Sequence, residues 1–373
     1  MALYKSLVKK ISVRPEQKVK QKDYQESGVF PIVDQGKEKI GGYSNDEGKV
    51  IKCNLPVIVF GDHTRAVKYI DFQFIAGADG IKVIQPNASV LPSFLYYGTQ
   101  YIVAKMPDRG YARHYQYLEK EDLEIPGINE QRRIVSRIEE LFSELDNSVS
   151  TLQKTKEQVV VYRQAVLKEA FSTETHAVKK TCEIGEVCLG RQRSPKNVSK
   201  YYPTKYIRAA NITETGLELD DILEMEFTPV EREKYYLQKG DIVISEASGS
   251  ATQVGKPAVW NCEIENCCFQ NTVIRLRLNK DLPEYVYWYL KFMYSSGAIA
   301  KIAGGVGINH LGANKFSNIE IPIPEKEEQK NIVTEIESRL SVCDSIEHTI
   351  DTALRQAEAM RQSILKQAFE GRL

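Results

Sequence analysis

The chain of 373 residues has no net charge, 50 Lys and Arg standing against 50 Asp and Glu. Any charged face must therefore come from local segregation and not from an overall excess. No apolar run approaches the roughly 18 residues a membrane helix needs. The basic N-terminal residues Lys5, Lys9 and Lys10 are not followed by the apolar stretch of a signal peptide. A cytoplasmic protein with no membrane contact is expected. Seven cysteines, Cys53, Cys182, Cys188, Cys262, Cys267, Cys268 and Cys343, are an odd number spread thinly, which argues against a secreted disulfide framework. Zinc could draw on Cys182, Cys188, Cys262 and Cys267 or Cys268, but no CxxC pair is present, and reduced, small buried hydrophobes is the better reading.

Catalytic signatures are also missing. Gly304 to Gly307 lacks the Gly-Lys-Ser/Thr ending of a phosphate-binding loop. There is no NPPY-like adenine methyltransferase tetrapeptide and no His-Glu-x-x-His. Pro15 to Lys18 resembles the Glu-x-Lys end of a nuclease site but has no room for an upstream Asp. The five histidines show no metal-ligand spacing, and His63, on a loop after a strand, is as suited to touching DNA as to any other role.

What the chain does have is a repeat. Hydrophobic residues make up 42% of it, enough for two or three domains with their own cores. When the sequence is displaced by 198 residues, residues 125–171 find 18 identities in 47 positions without a gap. Ile125-Pro126 meets Ile323-Pro324, Glu130-Gln131 meets Glu328-Gln329, and Ala170-Phe171 meets Ala368-Phe369. Each copy reads as one long helix that begins shortly after a proline. Ile138, Leu145, Leu152, Val159 and Val166 fall seven apart, with Ile134, Leu141 and Tyr162 interleaved. The second copy has Ile336, Cys343, Ile350, Ala357 and Ile364, with Ile332, Ile346 and Met360 between. This is a coiled-coil stripe, and a rod of about 60 Å with one apolar seam needs a partner, for which the other copy is the obvious candidate.

Residues 1–122 and 176–321, ahead of the helices at 123–175 and 322–373, differ in character. Short β-branched and aromatic runs such as Pro56 to Phe60, Asp241 to Ser245 and Thr272 to Leu276 are punctuated by Gly, Asn and Asp. The expected fold is mixed α/β (α+β): two globular heads alternating with two long helices that pair as an antiparallel coiled coil, an internal pseudo-two-fold repeat. The heads sum to +5 and the helices to −5. Positions 187 to 213 hold Arg191, Arg193, Lys196, Lys200, Lys205 and Arg208 with no acid, interleaved with tyrosines and Asn211. That is the composition of a nucleic-acid face. Acids from Glu214 to Glu233 are expected to point away from it. In the first head a cluster from Arg109 through Arg113 to His114 precedes the long helix, and its positional counterpart runs from Gly304 to His310.

These residues resemble the specificity subunit of type I restriction-modification systems. In that family each of two target-recognition domains is followed by a long helix, typically introduced by Ile-Pro, a short turn and Glu-Gln. Here the element stands as Ile321 to Gln329 and, less faithfully, Leu123 to Gln131. The helix ends, Arg163 to Phe171 and Arg361 to Phe369, also look like the family, as does Ile184 to Gly190 at the start of the second head, with Leu7 to Ile11 a weaker echo.

The resemblance implies a non-catalytic chain that binds double-stranded DNA, each head reading one half of an asymmetric bipartite site. The helices would space the halves by about one duplex turn, roughly 34 Å. It implies two methyltransferase subunits docked on the helices, and motor-nuclease restriction subunits beyond them. No cofactor is expected in this chain; S-adenosylmethionine, ATP and Mg would sit on the partners. The candidate DNA contacts are Arg65, Arg109, Arg113 and His114 in the first head and Arg191, Arg193, Lys196, Arg208 and Asn211 in the second, because Arg and Asn read base edges bidentately and Lys sets register on phosphate. Ser248, Ser250, Thr252 and Gln253, in a polar loop after the strand ending at Ser245, are of second rank. A self-contained DNA-modifying enzyme and a coiled-coil protein scaffold are the alternatives.

Overall fold

The computed structural model describes residues 1–78, 80–107, 109–172, 176–192, 201–248, 253–304 and 309–373. Contacts gather the chain into two units, Met1–Gln153 with Ile350–Leu373, and Lys154–Thr349. Each unit holds one head and a part of each long helix. The helices span Ile128–Ala170 and Lys326–Phe369, 43 and 44 residues.

In the first unit Val8–Ile11, Ile81–Pro86, Val57–Gly61 and Val67–Ile70 form, in that order, a four-stranded antiparallel sheet. Val57 to Gly61 is buried at every position, as a central strand covered on both faces should be. A smaller sheet sets Phe30–Val33 between Gly42–Ser44, antiparallel, and Ile75–Ala76, parallel. Ala2–Leu3 pairs with Asp122–Leu123 at the junction with the long helix. A helix, Pro92–Lys105, starts on a proline, whose missing N–H costs nothing in the first turn.

The second unit repeats this plan with a different sequence. Gly185–Leu189, Val273–Leu278, Ile242–Ser245 and Pro257–Val259 form the antiparallel four. Pro203–Ile207 lies between Leu223–Glu226, antiparallel, and Cys268–Phe269, parallel. Val178–Lys180 pairs with Glu320–Pro322 at the junction, and the helix Pro283–Ser295 again starts on a proline. The faint echo between Leu7 to Ile11 and Ile184 to Gly190 is therefore a true correspondence, since both are the edge strand of the larger sheet.

Within the first unit the beginning of the first long helix packs against the end of the second. Ile134, Val135, Ile138, Ile364, Leu365 and Ala368 share one core with the head residues Tyr4, Phe94, Leu95 and Leu123. Within the second unit the roles are exchanged, and Val159, Val166 and Leu167 meet Ile336, Leu340 and Cys343. The helices thus run antiparallel in both units. The residues spaced seven apart form the seam, Ile138, Val159, Val166, Ile336, Cys343, Ile350, Ala357 and Ile364 being buried. The interleaved row departs from expectation, because Tyr162, Ile346 and Met360 are exposed. Two antiparallel helices bury only a narrow stripe, and the second row is covered where a head lies against it, as at Ile134.

The helix ends are docking points. Phe369 packs on Phe94 and Tyr101 of the first head helix, with ring centroids 5.0 and 5.3 Å apart. Gly98 makes room for it, since a Cβ there would lie 2.8 Å from Leu123 Cδ2 and 3.2 Å from Phe369 Cε1. Phe171 does the same in the second unit, against Tyr285, Tyr289 and Phe292. The cysteine reading holds for Cys188, Cys267, Cys268 and Cys343, which are buried, and is corrected for Cys182 and Cys262, which are exposed. Among the described residues no helix is long and apolar enough to cross a membrane.

Candidate nucleic-acid interface

The central strand of the first head, Val57–Gly61, runs into a turn that returns as Val67–Ile70. Arg65 closes this turn in the left-handed region, φ 61°, with its N–H donating to the Gly61 carbonyl at 2.8 Å. Its guanidinium Nη1 donates to the Met106 carbonyl at 3.1 Å, which holds the turn beside the segment that carries Arg109 and Arg113.

Asp62, 3% exposed, supplies the second tie. Its Oδ1 accepts from the Tyr115 N–H at 2.9 Å, its Oδ2 pairs with Lys82 at 3.1 Å, and its carbonyl accepts from the His114 N–H at 2.8 Å. The His114 Nδ1 also lies 3.1 Å from that carbonyl and, facing an acceptor, must donate. Above these ties the rings of His63 and Tyr111 stack, centroids 4.2 Å apart and 3° from parallel. Tyr111 is 82% exposed, Arg113 is exposed, and Arg109 lies over the Tyr117 ring at 4.6 Å. The fold thus collects Arg65, Arg109, Arg113, His63 and Tyr111 at one tip. His114 is corrected: it is fully buried, so its task is to fix the loop from within.

The second head carries the same device. Glu246 follows the central strand Ile242–Ser245 as Asp62 follows Val57–Gly61, and is 9% exposed. Its carbonyl accepts from the Leu311 N–H at 2.9 Å, and its carboxylate faces His310 Nδ1 at 3.3 Å. Ala247–Ser248 pairs with Asn309–His310, tying the loop after the central strand to the loop ahead of the long helix. Gln253 returns from the first of these loops, its carbonyl accepting from Ser245 Oγ at 2.9 Å and its Oε1 from Lys256 Nζ at 2.5 Å. Ser250 and Thr252 lie outside the described residues.

The basic run between 187 and 213 resolves differently. Arg193 and Lys196 lie outside the described residues. Arg191 donates through Nε to Glu231 at 2.7 Å and through Nη1 to the Glu226 carbonyl at 2.6 Å, with Phe227 beneath it. Burial pushes the Glu231 carboxyl up, but hydrogen bonds from the Thr228 N–H and from Arg191 outweigh it and hold it below the usual carboxylate range. Arg208 pairs with Asp221. Asn211 is 3% exposed and fully engaged: its Oδ1 accepts from the Arg208 N–H at 3.0 Å, and its Nδ2 donates to the Glu218 and Asp221 carbonyls at 3.0 and 3.2 Å. Asn211 is therefore corrected to a structural residue, and Arg191 spends its donors inside the head. The expectation that the acids from Glu214 to Glu233 point away is corrected too, since Asp221 and Glu231 are the arginines' partners. Sequence reasoning missed Asp62 and Glu246, because a single acid after a hydrophobic strand carries no local signature.

Comparison with known proteins agrees with this architecture. Residues 176–356 match the type I restriction modification DNA specificity domain. The chain is 25% identical over 269 residues to the type I restriction enzyme EcoKI specificity subunit of Escherichia coli (strain K12), covering 68% of this chain and 58% of the relative. It is 24% identical over 366 residues to the EcoR124I/EcoR124II specificity subunit of Escherichia coli, covering 92% of this chain and 86% of that protein. Against the EcoKI relative the chain spans less than two thirds of the other protein's length. Among solved structures, one describing the assembly and conformational transition of a type I R-M system superposes with a TM-score of 0.70 at 18% identity, covering 92% of both chains. The HsdS subunit from Thermoanaerobacter tengcongensis superposes with a TM-score of 0.56 at 18% identity, covering 100% of this chain and 96% of that one. The second head and much of the second long helix are thus similar in sequence to the type I restriction modification DNA specificity domain, and the whole chain is similar in fold to the HsdS subunit.

Proposed function

We propose that this chain is the specificity subunit of a type I restriction-modification complex. Each head reads one half of a bipartite asymmetric DNA site through the tip built after its central strand. The helices serve as spacer and as docking surface for two methyltransferase subunits, with motor-nuclease subunits joining them. The chain itself is non-catalytic, and S-adenosylmethionine, ATP and Mg belong to the partners.

The observation that carries this reading is the duplicated tip. Two heads of unlike sequence use one scaffold, and in both an acid after the central strand ties down a loop bearing a histidine. Conserved scaffolding beneath divergent loops is the economy of a reader whose two modules recognise different sequences, because a rigid frame can present variable side chains without refolding. In the first head the tip offers guanidinium groups and a stacked aromatic pair, groups that contact phosphates and base edges.

The test is to tag the chain in its host, purify it with whatever accompanies it, and sequence the random duplex DNA that the complex retains. Two short motifs at one fixed spacing are expected. A single motif, or no enrichment at moderate salt, contradicts the proposal and favours the scaffold or enzyme readings.

A further inference from the structure

Gln131 and Gln329, 198 residues apart, are both buried, at 0% and 1% exposure, in the first turns of the two long helices. Each makes the same three-bond latch. Gln131 Oε1 accepts from the Leu91 N–H at 2.8 Å, and its Nε2 donates to the Ser89 and Pro126 carbonyls at 3.1 and 2.9 Å. Gln329 Oε1 accepts from the Leu282 N–H at 3.1 Å, and its Nε2 donates to Asp281 Oδ1 and the Pro324 carbonyl at 3.1 and 2.9 Å. Leu91 and Leu282 immediately precede the prolines that open the two head helices. One amide therefore joins the start of the head helix, the Ile-Pro segment through which the chain leaves the head, and the long helix itself.

The position of the latch gives it a task that packing cannot perform. Each head meets its helices through apolar contacts, which are strong but non-directional and tolerate small rotations. Hydrogen bonds are directional, and a buried amide with both donors engaged has one satisfactory orientation. The aromatic contact at the opposite helix end, Phe369 in the first unit and Phe171 in the second, supplies another point of attachment. An apolar anchor and a directional one together define the angle of a head on its stem.

We propose that Gln131 and Gln329 are positioning residues that fix each head's orientation on its helices, and through it the sharpness with which the complex demands one spacing between half-sites. This rests on the specificity-subunit reading above. It assigns the glutamines no contact with DNA, so it separates the choice of bases, set at the tips, from the choice of spacing, set at the latches.

The experiment repeats the random-duplex selection with the full chain and its co-purifying subunits, comparing wild type with Gln131→Met and Gln329→Met. Methionine keeps the size of the side chain but leaves the leucine N–H without its acceptor. Leu118→Ala, which removes buried apolar packing in the first head without removing a latch bond, controls for general loosening. Each glutamine variant loses all three bonds of its latch and is expected to retain both half-motifs while its preference for one spacing over the next falls by about tenfold. Leu118→Ala should keep the wild-type spacing. Unchanged spacing in both glutamine variants, equal broadening in Leu118→Ala, or loss of a half-motif in both glutamine variants would overturn the proposal. Absence of any bipartite motif in the wild type would instead remove the reading on which it rests.

Discussion

Arg163 meets Asp344 across the helix pair of the second unit, Nη2 to Oδ1 at 2.5 Å, and their counterparts 198 residues away, Arg361 and Asp146, form the same ion pair in the first unit. Two of the identities that reveal the repeat, four residues in all, are thus two copies of one contact. The reciprocity is a register mark: in an antiparallel pair, a residue and its repeat partner can make equivalent contacts only when the helices align in one way. Arg163 also reaches Glu347 at 2.8 Å, which adds a second acceptor on the same side.

Arg163→Ala should lower stability by about 0.5 to 1 kcal/mol, the range of partly exposed ion pairs, with a smaller effect in high salt. The exchange Arg163→Asp with Asp344→Arg should recover part of the loss. Chemical denaturation of the single and double variants at two salt concentrations measures both.

The aromatic anchors should matter more. Removing a packed phenyl ring costs about 3 kcal/mol, through lost burial and the cavity left behind. Phe369→Ala and Phe171→Ala should each lower the melting temperature more than Arg163→Ala does. Hydrogen exchange should increase around Pro92–Lys105 in the first variant and around Pro283–Ser295 in the second, because those head helices receive the rings.

Burial pushes the thiols of Cys267 and Cys268 up to about 12. Both should stay protonated at pH 8 and react slowly with iodoacetamide, while exposed Cys182 and Cys262 are alkylated first. The sign for stability follows. The folded thiols keep protons that unfolded ones lose, so their contribution is complete below the ordinary value of 9.0 and is lost as pH rises toward about 12. Mass spectrometry of partially alkylated protein checks the order of reaction.

At the first tip, Arg109→Ala and Arg113→Ala should each weaken DNA binding. Where the lost contact is to phosphate, the slope of log affinity against log salt should fall by about one. Titrations over a salt series distinguish this from loss of base reading, which relaxes one motif position and leaves the slope unchanged.

The long helices were legible in the sequence because a coiled-coil seam is a local pattern and a repeated one. Ile138, Val159 and Val166 announce their burial by spacing alone. The heads were legible as a class and not as a topology. The correspondence between Val8–Ile11 and Gly185–Leu189 rests on strand order, and almost any β-branched sequence satisfies that. The candidate site divides in the same way. Arg65, Arg109 and Arg113 stood out as cations on loops, and the fold brings their segments together. Arg191 and Asn211 stood out by composition too, but charge counts along a chain cannot see Glu231 or the Glu218 carbonyl arriving from another segment. Gln131 and Gln329 were visible as repeated letters, and only the structure gives them partners.

If each head reads its own half-site, exchanging the first head exchanges one half of the site and nothing else. Residues 1–122 are replaced by the corresponding head of a relative, and the retained duplexes are sequenced beside those of the parent. One half-motif is expected to change to that of the donor while the other half-motif and the spacing stay as they were. A change in both half-motifs, or in neither, would contradict this reading.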